Sequence, residues 1–316
     1  VRDDILGHLL RAASTAAECP DVERWWPAFR ELARTWRNPM DRALATGFAA
    51  DRVAWAFAAG YQCALQALFP ELPEDALAAL CVTEEQGNHP RAIRTTLRRA
   101  AGGWRLDGAK RWTTLGPQGA LFLVLARDAQ VEGERPALKV ARVPSAAGGV
   151  RIETMPATRF VPEVPHARLF FEGVALDDDA LLPGDGWTLY AKPFRSVEDA
   201  HVNAALLAYL LREARRLGWP HAWIERGAAL LLALRALAAE DPSRAQTHIA
   251  LAGILEAAAA LVSQAEAHWS ATPEDPARGR WLRDRELLNV AASARAQRSA
   301  SAWRQLAGAL RPTPKP

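Results

Sequence analysis

The sequence predicts an α+β protein with an N-terminal helical region, a central β-barrel or sandwich and a C-terminal four-helix bundle. Three regions of different texture predict it. Residues 1–78 are rich in Ala, Leu, Arg and Trp, with apolar positions at helical spacing. Residues 79–186 alternate short β-like runs with Gly and Pro turns, and residues 187–316 return to helical spacing. A length of 316 residues accommodates these as parts of one large domain or as two to three ordinary ones.

The clearest N-terminal helix starts at Asp51 and carries Val53, Trp55, Phe57, Tyr61, Leu65 and Leu68 until Pro70 closes it. Next come the β-like runs Leu121–Ala126, Leu138–Val143, Val150–Met155 and His166–Phe171. Gly102-Gly103, Gly148-Gly149 and Pro183-Gly184-Asp185-Gly186 supply turns before, between and after them. Four helices are expected over Ala204–Leu217, Pro220–Ala239, Ser243–Ser270 and Arg278–Leu310. Gly218-Trp219-Pro220, Asp241-Pro242 and Thr272-Pro273 break them, and connections this short favour an antiparallel bundle. The tail from Arg311 to Pro316 holds three prolines, cannot continue a helix and is expected to fray.

Composition excludes several classes. The 39 basic and 36 acidic residues nearly cancel, and Arg is spread along the chain, so no nucleic-acid partner is expected. Cys19, Cys63 and Cys81 are odd in number and far apart, which argues against a disulfide framework and for a reducing, cytoplasmic setting. The start Val-Arg-Asp-Asp does not read as a signal peptide. Arg235 and Glu256 interrupt the longest apolar runs, which fall short of the ~20 residues a membrane span needs, so no membrane partner is expected. No HExxH, GxSxG or Walker-type loop occurs, and His89 and His166 lack partners at metal-ligand spacing. Asp177-Asp178-Asp179 reads as a solvated turn, and Arg98-Arg99 and Arg215-Arg216 as solvated faces.

One stretch is more specific. Cys81-Val82-Thr83-Glu84 is followed by a hairpin that turns at Gly102-Gly103 and closes on Lys110-Arg111-Trp112-Thr113-Thr114, then by Ala120–Arg127. This resembles the middle domain of the acyl-CoA dehydrogenases, flavoenzymes that oxidise acyl thioesters. Helices, β-domain and helical bundle also follow one another in that family's order. The resemblance implies FAD between the β-domain and the bundle. The backbone and hydroxyl around Val82 and Thr83 would bond the pyrimidine edge of the flavin, Trp112 would lie against its ring, and Thr114 would bond near N5. It further implies an acyl-CoA or other acyl thioester as substrate, an electron-transfer partner and a homo-oligomer. Taken singly, Trp112 also reads as a hairpin core residue.

Proton removal beside a thioester carbonyl needs a carboxylate held close and partly desolvated. Some relatives place that glutamate on the first bundle helix, and Glu198 falls at roughly that position in Phe194–His201, with Asp199 and His201 as near alternatives. The plainer alternative makes Glu198 and Asp199 first-turn acidic residues behind a Ser196 N-cap.

The sequence also departs from the family. Glu85-Gln86-Gly87-Asn88-His89-Pro90 stands where Pro and Gly-Ser-Asp are usual, and only Gly87 and Asn88 would imitate the tight turn. The Gly-Gly-rich segment and the C-terminal Tyr-Glu-Gly-Thr-like loop have no counterpart. Two further readings follow: a degenerate, non-redox scaffold or binding protein without flavin or base, and a flavin monooxygenase-like relative that works without the glutamate.

Overall fold

A computed structural model describes residues 4–131, 133 and 135–309. The N-terminal region is helical. It comprises α1 (Ile5–Arg11), α2 (Val22–Ala33), α3 (Pro39–Ala49) and α4 (Val53–Leu68). Short polar side chains start three of these helices. Asp4 accepts from the Gly7 amide, Asp21 from Arg24 and Asn38 from Met40, the last with Pro39 in the first helical turn. Most of α4 is buried, as expected of a helix apolar on nearly every side.

The β-region is a single curled seven-stranded sheet. Its strands are β1 (Ala78–Cys81), β2 (Thr96–Ala100), β3 (Gly103–Thr114), β4 (Leu121–Asp128), β5 (Leu138–Pro144), β6 (Val150–Thr154) and β7 (His166–Leu176). The order is β1-β4-β2-β3-β7-β6, with β5 also on β4. β1 pairs in parallel with residues 121–124 of β4, and β2 in parallel with residues 127–128, so the two share β4 along its length. The remaining pairs are antiparallel. Alternation along β4 divides two cores: Phe122, Val124 and Ala126 pack inside the curl, while Leu123 and Leu125 pack with the helices.

Two irregularities break the β3–β7 register, between Leu106 and Gly108 and between Lys110 and Thr113. Gly108 has φ +139° and a Cβ there would lie 2.6 Å from the Thr95 Cα, so only glycine fits. The second irregularity lifts Arg111 and Trp112 out of the ladder.

Past β7 the chain makes a 3-10 turn at Asp178–Ala180 and a π-helical turn at Trp187–Ala191. The π-turn runs directly into α5 (Lys192–Arg216), followed by α6 (His221–Leu237), α7 (Ala245–Ser270), α8 (Pro276–Asp284) and α9 (Ala292–Ala309). α5 is the central beam. Gly47 of α3 and Gly60 of α4 let it approach, since a Cβ at either would sit 2.4 Å from the Ala205 carbonyl oxygen or 2.6 Å from the Val202 Cα.

The helical region corrects the sequence reading in two places. α5 starts twelve residues before the expected Ala204, so Ser196 lies inside it and caps nothing; its Oγ is buried with no hydrogen-bond partner among the described residues. The expected fourth helix is broken into α8, a 3-10 turn (Arg285–Asn289) and α9. Asp284 accounts for the break: it is fully buried, accepts the Val161 amide at 2.8 Å and pairs with Arg283 at 2.7 Å, which anchors the end of α8 to the β6–β7 loop. Leu310 and the Pro-rich tail lie outside the described residues. α7 is long and apolar enough by composition to cross a membrane, but its Leu251, Leu255, Ala258, Leu261 and Ala265 are buried at helical spacing against the protein.

Candidate functional site

A cavity of about 810 Å³ opens between the curled sheet and α5. Phe57 of α4, Trp112, the Thr158–Val161 loop and His166 form part of its wall, and Glu198, Asp199, Val202, Asn203 and Leu206 present one face of α5. Leu287, Leu288, Val290, Ala291 and Arg295 complete it from the broken helix. The wall is mainly apolar, with few charged groups placed at defined points.

Trp112 owes its place to the second β3 irregularity. Its φ is +56°, a left-handed conformation costly for a bulky residue, and its side chain stays 46% exposed. His166 meets it edge-on at 5.9 Å and the Arg111 guanidinium lies 5.4 Å from its ring centroid. A hairpin core residue would be buried, so this exposure argues against the plainer reading of Trp112.

Val82 and Thr83 are anchored beside this bulge and outside the cavity lining. The Thr83 carbonyl accepts the Arg111 amide at 2.9 Å, and the Val82 carbonyl accepts from the Lys110 ammonium at 3.3 Å. Thr114 also lies outside the lining, paired across the sheet with His166.

Glu84 holds the turn together. Its carboxylate accepts from Lys110 at 2.7 Å, the Arg94 amide at 2.7 Å and the Thr95 amide at 3.1 Å. Burial pushes the Glu84 carboxyl up, but the Lys110 charge and these three donors outweigh it and hold its pKa below the usual range. Burial draws the Lys110 ammonium down, against the pull of Glu84. Gly87 then closes a tight turn on Glu84 through reciprocal backbone bonds of 2.9 and 3.0 Å, with φ +106°.

Glu198 is half-buried on the α5 face that lines the cavity, and no hydrogen bond or ion pair holds its carboxylate among the described residues. Burial, then the neighbouring Asp199 charge, push its pKa up to about 7, against Arg295 and Arg195. Asp199 is itself committed to Arg295 at 2.9 Å and Arg298 at 2.6 Å. His201 faces away: its Nδ1 bonds the Val197 carbonyl at 2.8 Å, and it lines a separate cavity of about 170 Å³. Burial draws the pKa of His201 down to about 4.

The structure therefore brings Trp112 and Glu198 into one cavity, with the Val82–Thr83 segment and Thr114 tied to the strands that present Trp112. Sequence reasoning weighed His166 only as a metal ligand and passed over Asp284 and Arg295. The register of β7 against Lys110–Thr114 is the signal that would have placed His166, but a single sequence does not disclose it. Asp178, from the acidic run, bonds the Trp104 Nε1 at 2.9 Å and pairs with Arg99, and no group of acidic, His or Cys residues suited to a metal occurs among the described residues.

Residues 79–174 match the family model of the acyl-CoA dehydrogenase middle domain. Butyryl-CoA dehydrogenase from Megasphaera elsdenii has the same fold, with a TM-score of 0.71 at 12% identity over 96% of this chain and 99% of that one. PigA, solved with FAD and proline, gives 0.69 at 14% identity over 96% and 92% of the two chains. KijD3, solved with FMN and a dTDP-linked amino-keto sugar, gives 0.67 at 16% over 98% and 93%. At these identities the likeness establishes the fold. No curated protein matches the sequence.

Proposed function

We propose that this chain, a divergent acyl-CoA dehydrogenase-like protein by its middle domain and its fold, is a flavin-dependent oxidoreductase acting on an acyl thioester or a related carbonyl compound. One observation carries the reading: an exposed tryptophan face and an unpaired, partly desolvated carboxylate share a mainly apolar cavity between sheet and bundle.

The residues present suit a flavin. Trp112 offers a half-exposed aromatic ring to the cavity, with His166 at its edge and the Arg111 guanidinium near it, and that exposure is otherwise hard to justify in a strained backbone. The Val82–Thr83 segment and Thr114 would supply polar contacts at the ring edges. Arg91 and Arg135 line a separate cleft of about 720 Å³, together with His89 and Asp185, and offer positive charge to a phosphate-bearing tail. A bound flavin would supply the acceptor for a hydride.

Within that frame Glu198 accepts the proton from the carbon next to the substrate carbonyl. A pKa about 7 makes it a competent base near neutrality, and the apolar wall keeps water from competing for it. Loss of that proton to Glu198 would leave the hydrogen on the adjacent carbon to depart as a hydride to the acceptor that a bound flavin would supply, with a carbon–carbon double bond as the product. The open cavity beside Trp112 weighs against the degenerate-scaffold reading, and an available carboxylate weighs against a monooxygenase-like one.

The test is the visible spectrum of the purified protein with added FAD or FMN, followed by anaerobic addition of acyl thioesters. A retained flavin band that bleaches with a thioester supports the reading. Protein that retains neither flavin refutes it, and oxygen uptake by the reduced form without thioester bleaching favours the monooxygenase-like alternative.

A further inference from the structure

Every guanidinium nitrogen of Arg295 is engaged. Nε and Nη2 both lie 2.9 Å from Asp199 Oδ1, and Nη1 donates to the Leu288 carbonyl at 2.9 Å. Arg298 donates from Nη2 to Asp199 Oδ2 at 2.6 Å and from Nη1 to the Arg195 carbonyl at 3.3 Å. Both oxygens of Asp199 are thus occupied by cations from α9, and the side chain is buried. Glu198, the next residue, lines the same cavity as Arg295 and pairs with neither arginine.

We propose that Asp199 is a positioning residue: it captures Arg295 and Arg298 and so keeps Glu198 as the unpaired carboxylate of the cavity. The inference rests on the reading of Glu198 as the base. An arginine that closed on Glu198 would hold it ionised, weaken it as a base and occupy the space needed by substrate. Asp199 also contributes a second negative charge beside Glu198, which works in the same direction. The other groups around Glu198 leave this role to Asp199. Arg195 precedes it on α5 and favours its ionised form, but its guanidinium lies 5.3 Å from the Trp187 ring centroid rather than in an ion pair with Glu198. Tyr61 of α4 accepts the Leu80 amide. Arg159 and Glu286 pair with each other at 2.9 Å at the cavity wall. His166 stands on Trp112, with burial drawing its pKa down.

The experiment follows the Glu198 carboxyl by ¹³C NMR in apo-protein labelled at glutamate Cδ, with Glu198→Gln assigning the signal. Asp199→Asn should lower the titration midpoint by one pH unit or more. Asp199→Asn with Arg295→Gln should recover most of that shift, because the released guanidinium is gone. Arg295→Gln alone should move the midpoint upward. An unmoved midpoint in Asp199→Asn, or a double variant no different from the single one, overturns the proposal. Should Asp199→Asn fail to fold, Arg295→Gln decides: no upward shift overturns it. The titration needs no flavin, so a protein that titrates as expected but retains no flavin refutes the proposed function and leaves this inference standing.

Discussion

Lys110→Met tests the construction of the Thr83–Glu84 turn. Lys110 is 1% exposed, and its ammonium lies 2.7 Å from Glu84. At an effective dielectric constant of about 20, charges at that separation attract by roughly 6 kcal/mol. Burying two ions costs several kcal/mol each, so the intact pair is close to neutral for stability. Half of the pair is another matter. Methionine fills the lysine stem but leaves the Glu84 carboxylate buried with only two amide donors, at a cost of about 3–5 kcal/mol. Glu84→Gln with Lys110→Met removes both charges and should recover about 2 kcal/mol of that loss. The assay is equilibrium urea denaturation followed by circular dichroism and tryptophan fluorescence. Glu84 titrates below its unfolded value, so its share of stability is present above the ordinary carboxylate range and lost as pH falls through the folded pKa. Lys110→Met should remove that acid sensitivity along with the charge pair. A single variant within about 1 kcal/mol of wild type, or a double variant no more stable than the single, refutes the reasoning.

Glu198→Gln in the flavin-loaded protein should cut thioester turnover by about 10²–10⁴-fold, measured by anaerobic bleaching. In the wild type that rate should rise with pH through about 7, where the base ionises. Because the folded pKa of Glu198 is raised, the folded state holds the extra proton between the ordinary glutamate value and about 7; stability should fall as pH rises across that window, and Glu198→Gln should flatten the fall in urea titrations. Trp112→Gly should relieve a left-handed backbone worth about 1 kcal/mol and yet abolish flavin retention on gel filtration, a split that a structural tryptophan would not give.

How far the sequence disclosed this molecule depends on the range of each interaction. Helical periodicity is local, and it located α4, α6, α7 and the second half of α5. The Thr83–Glu84 turn and the Lys110–Thr114 run are contiguous motifs, and Gly87 and Asn88 were readable as turn residues, of which Gly87 closes on Glu84. Glu198 was singled out by the resemblance, which implies a glutamate on the first bundle helix, and the structure sets it in the cavity lining. Its surroundings were not legible, since Arg295 and Arg298 reach Asp199 from almost a hundred positions further on. The Ser196 cap failed for a related reason: Pro193 suits a first helical turn, but the continuous π-turn before it carries no cap signature. The fourth helix was misjudged because Asp284 breaks it through the distant Val161 amide, while local propensity over Arg278–Leu310 is helical throughout.

What finally places Glu198 is a pair of glycines remote from it in sequence. Gly47 and Gly60 face α5 at Ala205 and Val202, so they fix how deeply the beam sits between α3 and α4. Val202 lines the cavity one turn beyond Glu198. A methyl group at Gly60 must displace α5 backbone, because the nearest atoms are the Val202 Cα and the His201 carbonyl oxygen at 2.6 and 2.8 Å. No flexible side chain can absorb that overlap. Gly60→Ala should therefore cost about 1–3 kcal/mol by overpacking, despite the higher helix propensity of alanine, which alone would stabilise by about 1 kcal/mol. Urea denaturation reads the sign: a more stable Gly60→Ala protein means propensity wins and the close crossing does not set α5. The same displacement shifts Glu198 relative to Trp112, so a Gly60→Ala protein that folds should also lose thioester-dependent bleaching. Full bleaching with lowered stability would mean that the cavity tolerates movement of α5, and that the proposed placement of the base is looser than the glycine contacts require.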